Sequence, residues 1–245
     1  MLLARPSRPV RWVFRAVAAI VVAGLLFVAW DQATHNFGEV QRDRIYRSGQ
    51  MPASALARTI RDHRIKTVLN LRGANKDPWY AAERATTLEA GATQVDIPMS
   101  SCVWMSRAQL RTLIATFDTA EYPMLIHCQW GAERTGLASA FAELLRPDST
   151  LEDARRQFSI RYLFVRVSDG KIMAEPMDQY ERWLGIHGLT HAPATFRRWA
   201  EDGFQPMTPN REQWPYDPYP LVVVTRPARE VTPAPVAADA GPRRR

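Results

Sequence analysis

Apolar and polar positions alternate along residues 44–190 in blocks that predict strands and helices in turn. Four short segments are predicted as strands, at residues 44–49, 66–71, 93–97 and 123–127, and residues 66–71 and 123–127 are apolar runs typical of strands buried in a sheet. Stretches with apolar residues at three- and four-residue intervals indicate helices at residues 53–63, 77–90, 106–117, 135–145, 150–159 and 176–186. The alternation predicts an α/β fold in which helices flank a mostly parallel sheet of four to five strands.

Polar residues and prolines at the block boundaries agree with this assignment. Asp77 followed by Pro78 is typical of a helix start, with Asp77 as the N-cap and Gly91 beyond the helix end. Ser106 and Gln109 have the spacing of a capping box. In a sheet of this kind, the ligand site is expected at the carboxyl ends of the strands.

The chain begins with a basic segment, residues 1–12, followed by an apolar stretch, residues 13–30. A helix of this length spans about 28 Å, close to the roughly 30 Å hydrocarbon core of a bilayer. Trp12 and Trp30 bracket the stretch, as interfacial aromatic residues do. We predict one transmembrane signal anchor. The alternatives are a cleaved signal peptide, which the bulky Trp30 disfavours, and a buried helix of a soluble domain.

Four arginines lie in residues 1–30 and no acid does, while Asp31 follows the apolar stretch directly. The positive-inside rule then places the N-terminus in the cytoplasm and the rest of the chain beyond the membrane. The predicted location is therefore the inner (cytoplasmic) membrane, crossed once, with the main domain on the periplasmic side.

Residues 38–190 form the predicted main domain, and the chain changes character after them. Residues 191–204 are predicted as a C-terminal helix. From residue 205 to residue 245, proline recurs at a density that prevents helices and central strands. We therefore predict a disordered tail, in which residues 221–225 have the composition of a short edge strand.

The 245-residue chain has a net charge of +7 and a sequence pI of about 9.8, which raises nucleic acid as a partner class. The excess lies at the ends, because residues 31–190 hold 20 basic and 19 acidic residues. A basic nucleic-acid-binding face is therefore not indicated. Two cysteines exclude a disulfide-rich scaffold and a four-cysteine zinc site.

The last apolar strand runs directly into Cys-Gln-Trp-Gly-Ala-Glu-Arg-Thr-Gly, and a helix follows. A loop between a buried strand and a helix N-terminus directs backbone N–H groups inward and binds anions. The predicted phosphate cradle consists of Gln129, Trp130, Gly131, Ala132, Glu133 and Arg134. The helix dipole and Arg134 are expected to lower the pKa of Cys128, which would make it a thiolate nucleophile. Thr135 can donate a hydrogen bond to its sulfur.

Residues 127–136 resemble the HCxxGxxR[ST]G signature of the cysteine-dependent protein tyrosine and dual-specificity phosphatases. Four further segments are similar to a compact bacterial branch of that superfamily: residues 46–50, 66–72, 91–98 and 180–184. The resemblance covers about residues 38–188 and implies a phosphatase domain. It implies that Cys128 forms a phosphocysteine and that Arg134 binds phosphate and stabilises the transition state. It also implies that no metal or other cofactor takes part.

Two carboxylic acids compete for the role of general acid. The resemblance implies an Asp roughly thirty residues before the cysteine, and Asp96 has that spacing, although it precedes Pro98 instead of following it. Glu133 lies in the loop itself, where some lipid-acting and bacterial relatives carry an acid. A carboxyl group beside a thiolate and a phosphate dianion has a raised pKa, which suits proton donation. Both candidates stay open, with Asp118 as a third.

Further candidates lie outside the loop. Arg72 and Arg47 end strands at the expected ligand edge, so both are possible substrate contacts. His127 is expected to be a structural brace, because its side chain should alternate away from the Cys128 sulfur. Cys102 is the only other cysteine and is a possible disulfide partner of Cys128 under oxidation.

Together these features predict a membrane-anchored phosphatase that acts on a phosphate monoester. The candidate substrates are phosphotyrosine, phosphoserine or phosphothreonine proteins, or a phospholipid headgroup. The alternative is a phosphate-binding pseudophosphatase without turnover, whereas a rhodanese-type sulfur-transfer domain is disfavoured because it lacks the Arg-Thr-Gly start of the helix. The expected partners are the substrate and the membrane, with no nucleic acid, and the expected state is a monomer.

Overall fold

A mixed sheet organises the computed structural model, which describes residues 8–211 and 220–227. Within these residues six strands form the sheet, in the order β1-β2-β5-β3-β4-β6. The strands are β1 (Gly38–Gln41), β2 (Ile45–Ser48), β3 (Thr67–Asn70), β4 (Thr93–Asp96), β5 (Met124–His127) and β6 (Val223–Thr225). The three central pairs are parallel, and each edge strand is antiparallel to its neighbour. The predicted α/β fold with a mostly parallel sheet is confirmed.

The two edge strands raise the strand number above the four to five predicted. β1 has the sequence GEVQ, in which only Gln41 is buried, so it shows no apolar run. β6 lies in the proline-rich segment, within the residues 221–225 that have an edge-strand composition, and pairs with β4. Predictions for residues 1–7, 212–219 and 228–245 fall outside the described residues.

Helices cover both faces of the sheet. They are α1 (Arg8–Ala33), α2 (Ala53–Asp62), α3 (Pro78–Glu89), α4 (Arg107–Thr119), α5 (Glu133–Leu144), α6 (Leu151–Arg156), α7 (Asp169–His187) and α8 (Pro193–Arg198), which continues into a π-helical turn (Trp199–Gly203). On one face, Leu56 and Ile60 of α2 pack against Leu125. On the other face, Phe141 of α5 and Tyr180 of α7 belong to the larger core. The site is therefore built on a sheet that is packed on both sides.

Local signals explain some of the helix starts and not others. Ser106 makes both hydrogen bonds of the predicted capping box at the start of α4. Asp77 occupies the N-cap position of α3, but its carboxylate accepts from Trp79 Nε1 at 2.9 Å and makes no cap hydrogen bond. α7 begins well before the predicted start at residue 176, because Pro176 lies inside the helix and does not begin it.

α1 is exposed along its apolar stretch. Its candidate span, Arg11–Ala33, has a mean hydropathy of 2.3, and the most apolar window is 0% buried. The helix is long and apolar enough to cross a membrane, and its exposure argues against a buried helix of a soluble domain. Its last turn meets the domain, where the guanidinium of Arg161 lies 4.6 Å from the centre of the Trp30 ring.

The parallel register places the ends of the central strands side by side. Ser48, His127, Asn70 and Asp96 form one row across β2, β5, β3 and β4. Residues paired in this way direct their side chains to the same face of the sheet. Cys128 follows His127 directly, so the predicted loop begins at the carboxyl edge of the sheet.

Candidate active site

The candidate active site is the loop between β5 and α5, residues 128–132. Gly131 has a φ of +71°, and a Cβ there would lie 2.5 Å from the backbone N of Gly49 and 2.6 Å from the carbonyl carbon of Ser48. Any side chain at this position would therefore collide with the connection that follows β2. The tight turn of the loop requires glycine for both reasons.

Cys128 lies fully buried at the base of this loop. Burial works to raise the pKa of the Cys128 thiol, but the Arg134 guanidinium, the Thr135 hydroxyl and the backbone N–H groups of Thr135 and Gly131 oppose it. The balance lowers the pKa of Cys128 below its ordinary value. The loop thus favours the thiolate, which is the nucleophilic form of cysteine.

Arg134 lies in the first turn of α5 and connects the loop to the segment after β4. Its Nη1 donates to the carbonyl oxygen of Met99 at 3.2 Å. Its Nε is buried and has no hydrogen-bond partner among the residues that the structure describes. A buried charged donor without a partner costs free energy, and a phosphate oxygen would supply the missing acceptor.

Arg47 lies behind the loop and not at its open side. Its Nη2 donates to the carbonyl oxygen of Gly131 at 2.6 Å, and its Nη1 donates to the backbone and side-chain oxygens of Gln157 at 2.8 and 2.9 Å. The guanidinium also stacks on the Tyr162 ring at 3.7 Å. Burial lowers the pKa of Arg47 to about 10, so it remains charged at neutral pH. Arg47 is 0% exposed and braces the loop, and this placement disfavours the predicted contact with substrate.

The turn that follows α1 also holds the loop. Asn36 Nδ2 donates to the carbonyl oxygens of Trp130 at 2.9 Å and of Tyr162 at 3.0 Å. The backbone N–H of Gly49 donates to the carbonyl of His35 at 2.7 Å. Asn36 has a φ of +52°, a left-handed conformation that asparagine tolerates better than most residues. Sequence reasoning missed Asn36, because no local motif links residues 94 positions apart.

A buried ion pair lies under the loop, on the face covered by α3. His127 Nε2 is 3.2 Å from Glu83 Oε1, and both side chains are only 3% exposed. Burial works to lower the pKa of His127, but the Glu83 carboxylate more than offsets it, so the pKa is raised above its ordinary value. Glu83 also accepts from Gln94 Nε2 at 3.1 Å. His127 therefore ties the end of β5 to α3.

Asp96, one candidate for the general acid, belongs to the same buried polar cluster. Its Oδ1 accepts from Asn70 at 2.9 Å and from Gln94 at 3.1 Å, and its Oδ2 accepts from Tyr80 at 2.7 Å. Burial raises the pKa of Asp96, and these donors offset that only in part. The residue is 0% exposed, with both oxygens engaged, so its placement disfavours proton donation to a substrate. Asp118, the third candidate, pairs with an arginine of α8.

The other loop residues differ in exposure. Glu133 is the first residue of α5 and is partly exposed. Ala132 is buried, whereas Gln129 and Trp130 are exposed. The carbonyl oxygen of Gln129 accepts from the backbone N–H of Gln50 at 3.1 Å, which adds another bond between the loop and the end of β2.

Arg72 lies at the rim of the site. Its guanidinium bonds to the side chain of Gln50 and stacks on the Trp79 ring at 3.8 Å. Burial lowers the pKa of Arg72, and the positive charge of Arg134 lowers it further. The two arginines are thus close enough to interact electrostatically. A contact between Arg72 and substrate stays a prediction.

The segment after β4 carries hydroxyl and thiol groups to α7. Ser101 and Cys102 both donate to Asp169 Oδ2, at 3.0 and 3.3 Å. The hydrogen bond from Cys102, and after it the one from Ser101, lowers the pKa of Asp169. The lowered pKa disfavours Asp169 as a proton donor. Cys102 is exposed and Cys128 is buried, and both are free thiols. Sequence reasoning missed Asp169, which lies far along the chain from this segment.

The sheet and the strand–loop–helix cradle around a buried cysteine define a cysteine-dependent phosphatase-like fold. The model of a family described as DSP-PTPase phosphatase fused to NAD+ kinase matches residues 16–166. The chain belongs to this family of dual-specificity-type phosphatases, and the resemblance stated from the sequence is confirmed.

Three solved structures illustrate the similarity, and no curated protein sequence matches the chain. The core catalytic domain of the PP-IP phosphatase SIW14 from S. cerevisiae, in complex with citrate, is 22% identical over 62% of this chain and 93% of that one, with a TM-score of 0.47. P. aeruginosa TpbA is 21% identical over 58% and 85%, with a TM-score of 0.45. PTPMT1 in complex with PI(5)P is 13% identical over 58% and 94%, with a TM-score of 0.42.

Proposed function

We propose that this chain hydrolyses phosphate monoesters in two steps through a phosphocysteine on Cys128. The observation that carries the proposal is the lowered pKa of Cys128 inside a loop of anion-binding donors. Membership of a dual-specificity-type phosphatase family supports it. The proposed enzyme is thus a cysteine-dependent phosphatase of the tyrosine or dual-specificity type.

In the first proposed step, the Cys128 thiolate attacks phosphorus, and the S–P bond forms as the ester P–O bond breaks. Glu133 gives its proton to the leaving oxygen. Arg134 and the backbone N–H groups of the loop hold the phosphoryl oxygens as negative charge builds up. Glu133 is the proposed acid because it is partly exposed in the loop, whereas Asp96 is buried with both oxygens engaged.

In the second proposed step, water attacks the phosphorus and the S–P bond breaks. Glu133, now a carboxylate, takes a proton from the water, and inorganic phosphate leaves. The sulfur departs as a thiolate, which the Thr135 hydroxyl and Arg134 stabilise. The enzyme is then ready for another turnover.

The proposed protein is a monomer anchored in the inner membrane of a bacterial cell, with its catalytic domain on the periplasmic side. The exposed, apolar helix Arg11–Ala33 supports the anchor. The arginines that precede the apolar stretch support this orientation. The proposed partners are the membrane and a phosphorylated protein or phospholipid, and nucleic acid is not among them.

One observation favours a phosphate-binding pseudophosphatase as the second candidate. Residues 98–102, which follow β4, carry no carboxylate, and Asp96 is buried away from solvent. A cradle without a working acid would still bind phosphate. The two candidates differ in turnover, so one assay separates them.

The full chain in detergent micelles should hydrolyse para-nitrophenyl phosphate, and Cys128→Ser should lower kcat by at least about a thousandfold. Cys102→Ser is the matched control, because it removes the other, exposed thiol and should retain activity. A wild-type rate no higher than that of Cys128→Ser, together with phosphate binding by calorimetry, would establish the pseudophosphatase instead.

Glu133→Gln should lower kcat about a hundredfold for phosphoserine, whose alkoxide leaving group needs a proton. The same change should affect para-nitrophenyl phosphate much less, because its leaving group is stable as an anion. Asp96→Asn is the comparison and should keep the ratio of the two rates unchanged. A selective loss on phosphoserine in Asp96→Asn and not in Glu133→Gln would reverse the assignment of the acid.

A further inference from the structure

Large apolar side chains of the loop and of a segment beside it are exposed to solvent. Trp130 of the loop is 55% exposed, and Ile160, Val165 and Val167 are 68%, 53% and 61% exposed. The last three lie in one segment, residues 160–167, between α6 and α7. Scattered exposed apolar residues are ordinary, but a cluster beside a binding site marks an interaction surface.

Hydrogen bonds show that this segment and the loop are neighbours. Asn36 Nδ2 donates to the carbonyl oxygens of both Trp130 and Tyr162, so these two backbone groups lie on either side of one amide. Beyond the segment, Asp169 receives hydrogen bonds from the loop after β4, which Arg134 also contacts through Met99. Residues 160–167 therefore run beside the loop, from Tyr162 to the start of α7.

The same segment rests against the end of α1. The Arg161 guanidinium lies 4.6 Å from the centre of the Trp30 ring, and its Nη1 lies 3.8 Å from Asp31 Oδ1. Arg161 Nη2 also donates to the carbonyl of Phe37 at 3.2 Å. The segment that carries the exposed apolar side chains thus contacts the end of the helix that is long and apolar enough to cross a membrane.

Chain length leaves little room between the membrane and the loop. α1 ends at Ala33, and Asn36, which bonds the loop, follows three residues later. Three extended residues span at most about 10 Å, and this stretch is a turn, so the actual separation is shorter. If α1 spans the bilayer, the mouth of the loop lies at the level of the headgroups.

We propose that Trp130 and residues 160–167 dock into the interface of the bilayer that holds α1, and that the substrate is a phosphomonoester on a lipid headgroup. This inference rests on the proposed function and names its substrate class. Tryptophan and aliphatic side chains favour the interface, where apolar groups enter the acyl boundary. Arg161 and Arg166 add positive charge toward anionic lipid, although Asp31 and Asp178 partly neutralise them. A phosphorylated protein would have to enter between the domain and the membrane.

The test uses the full chain in nanodiscs that contain phosphatidylglycerol phosphate or a phosphatidylinositol phosphate. There are three soluble probes. One is a dispersed short-chain lipid that carries the same headgroup, and the others are phosphopeptides and para-nitrophenyl phosphate. The wild type should have a kcat/KM at least about tenfold higher for the lipid in the disc than for its dispersed form. A higher kcat/KM for phosphopeptides than for every lipid would overturn the inference.

The triple variant Ile160→Ser, Val165→Ser, Val167→Ser should lose about tenfold in kcat/KM on the disc-borne lipid and keep its rate on para-nitrophenyl phosphate. Ile186→Ser is the matched control, because Ile186 is 79% exposed near the end of α7 and should change neither rate. Full activity of the triple variant on the disc-borne lipid would overturn the inference.

Fluorescence provides a readout that does not depend on turnover. Brominated lipids should quench the emission that Trp130→Phe removes. They should not quench the emission that Trp183→Phe removes, because Trp183 lies near the end of α7, close to the control residue Ile186. Absence of para-nitrophenyl phosphate hydrolysis would refute the proposed function, whereas quenching of Trp130 would still support docking. Hydrolysis without quenching of Trp130 would overturn the docking and leave the proposed function standing.

Discussion

At the scale of single residues, the site depends on charges and hydrogen-bond donors that offset the cost of burying charged groups. Cys128 is fully buried, which opposes ionisation, yet Arg134 and nearby donors lower the pKa of its thiol. Arg47 is also fully buried, and it uses its charge to hold the carbonyl of Gly131. One arginine therefore faces the anion site, while the other stabilises the turn that forms it.

The lowered pKa of Cys128 predicts its alkylation behaviour. In a Cys102→Ser background, the rate of iodoacetamide reaction at Cys128 should rise with pH, and its midpoint should lie below that of the same cysteine in an unfolded reference peptide. Thr135→Ala should move this midpoint upward, because it removes a hydroxyl that stabilises the thiolate. Mass spectrometry of the labelled peptide measures the rate. A midpoint at or above the ordinary value would contradict the electrostatic description.

Residue identity alone did not show whether two polar residues near the loop are open to a ligand or buried behind it. Arg47 is next to the last residue of β2 and Asp96 is the last residue of β4, and these positions made Arg47 a candidate substrate contact and Asp96 a candidate general acid. Their side chains are fully buried in hydrogen-bonded clusters behind it. Position along a strand predicts which edge a residue approaches, but packing against other elements decides which groups remain open to a ligand.

At the scale of elements, the turn after α1 joins that long apolar helix to the loop that follows Cys128. Asn36 bonds Trp130 and Tyr162 at once, and it adopts a left-handed backbone conformation. The turn therefore has two separable contributions, one from the side-chain donor and one from the backbone. A pair of substitutions distinguishes them.

Asn36→Gly keeps the backbone conformation accessible and removes the donor, and kcat/KM should fall about fivefold for the loss of roughly 1 kcal/mol of hydrogen bonding. Asn36→Ala removes the same donor and adds about 1 kcal/mol of backbone strain, so it should also lower Tm by a few degrees relative to Asn36→Gly. Steady-state kinetics and thermal unfolding measure the two effects. Wild-type kcat/KM in Asn36→Gly would show that the side chain does not support the loop.

Element boundaries follow the sequence pattern where a local signal is strong. The capping box at Ser106 and the glycine after α3 have clear signals, and both boundaries are close to those predicted. β1 has no apolar run because an edge strand is only partly buried. The predicted start of α7 at Pro176 is wrong, because the helix begins at Asp169 and contains this proline. Tertiary packing accommodates a proline that local propensity would place at a helix start.

At the scale of the whole molecule, one exposed apolar helix and one packed α/β domain share a short connection. The helix leads into the turn that bonds the loop, so the orientation of the anchor and the position of the site are linked. In the proposed membrane-anchored phosphatase, the side of the membrane on which the domain lies determines which phosphomonoesters it can reach.

The arginines near the N-terminus favour a cytoplasmic N-terminus and therefore a periplasmic C-terminus. Alkaline phosphatase, which is active only in the periplasm, should therefore be active in a bacterial host when it is fused after residue 245. A fluorescent protein that folds only in the cytoplasm is the matched fusion and should stay dark. Replacing the four arginines of residues 1–30 with glutamine should weaken this preference. A bright fluorescent fusion with inactive alkaline phosphatase would place the domain in the cytoplasm.

The sequence by itself determined the α/β class, the long apolar N-terminal helix and the loop from Cys128 to Thr135, because each depends on residues that are contiguous or regularly spaced. Only the tertiary structure decided what supports that loop. Asn36, Arg47 and Glu83 come from three separate elements, and no local pattern connects them to residues 127–131. The physical reason is that burial and hydrogen-bond partners depend on how distant elements pack, whereas periodicity and motifs report only neighbours along the chain.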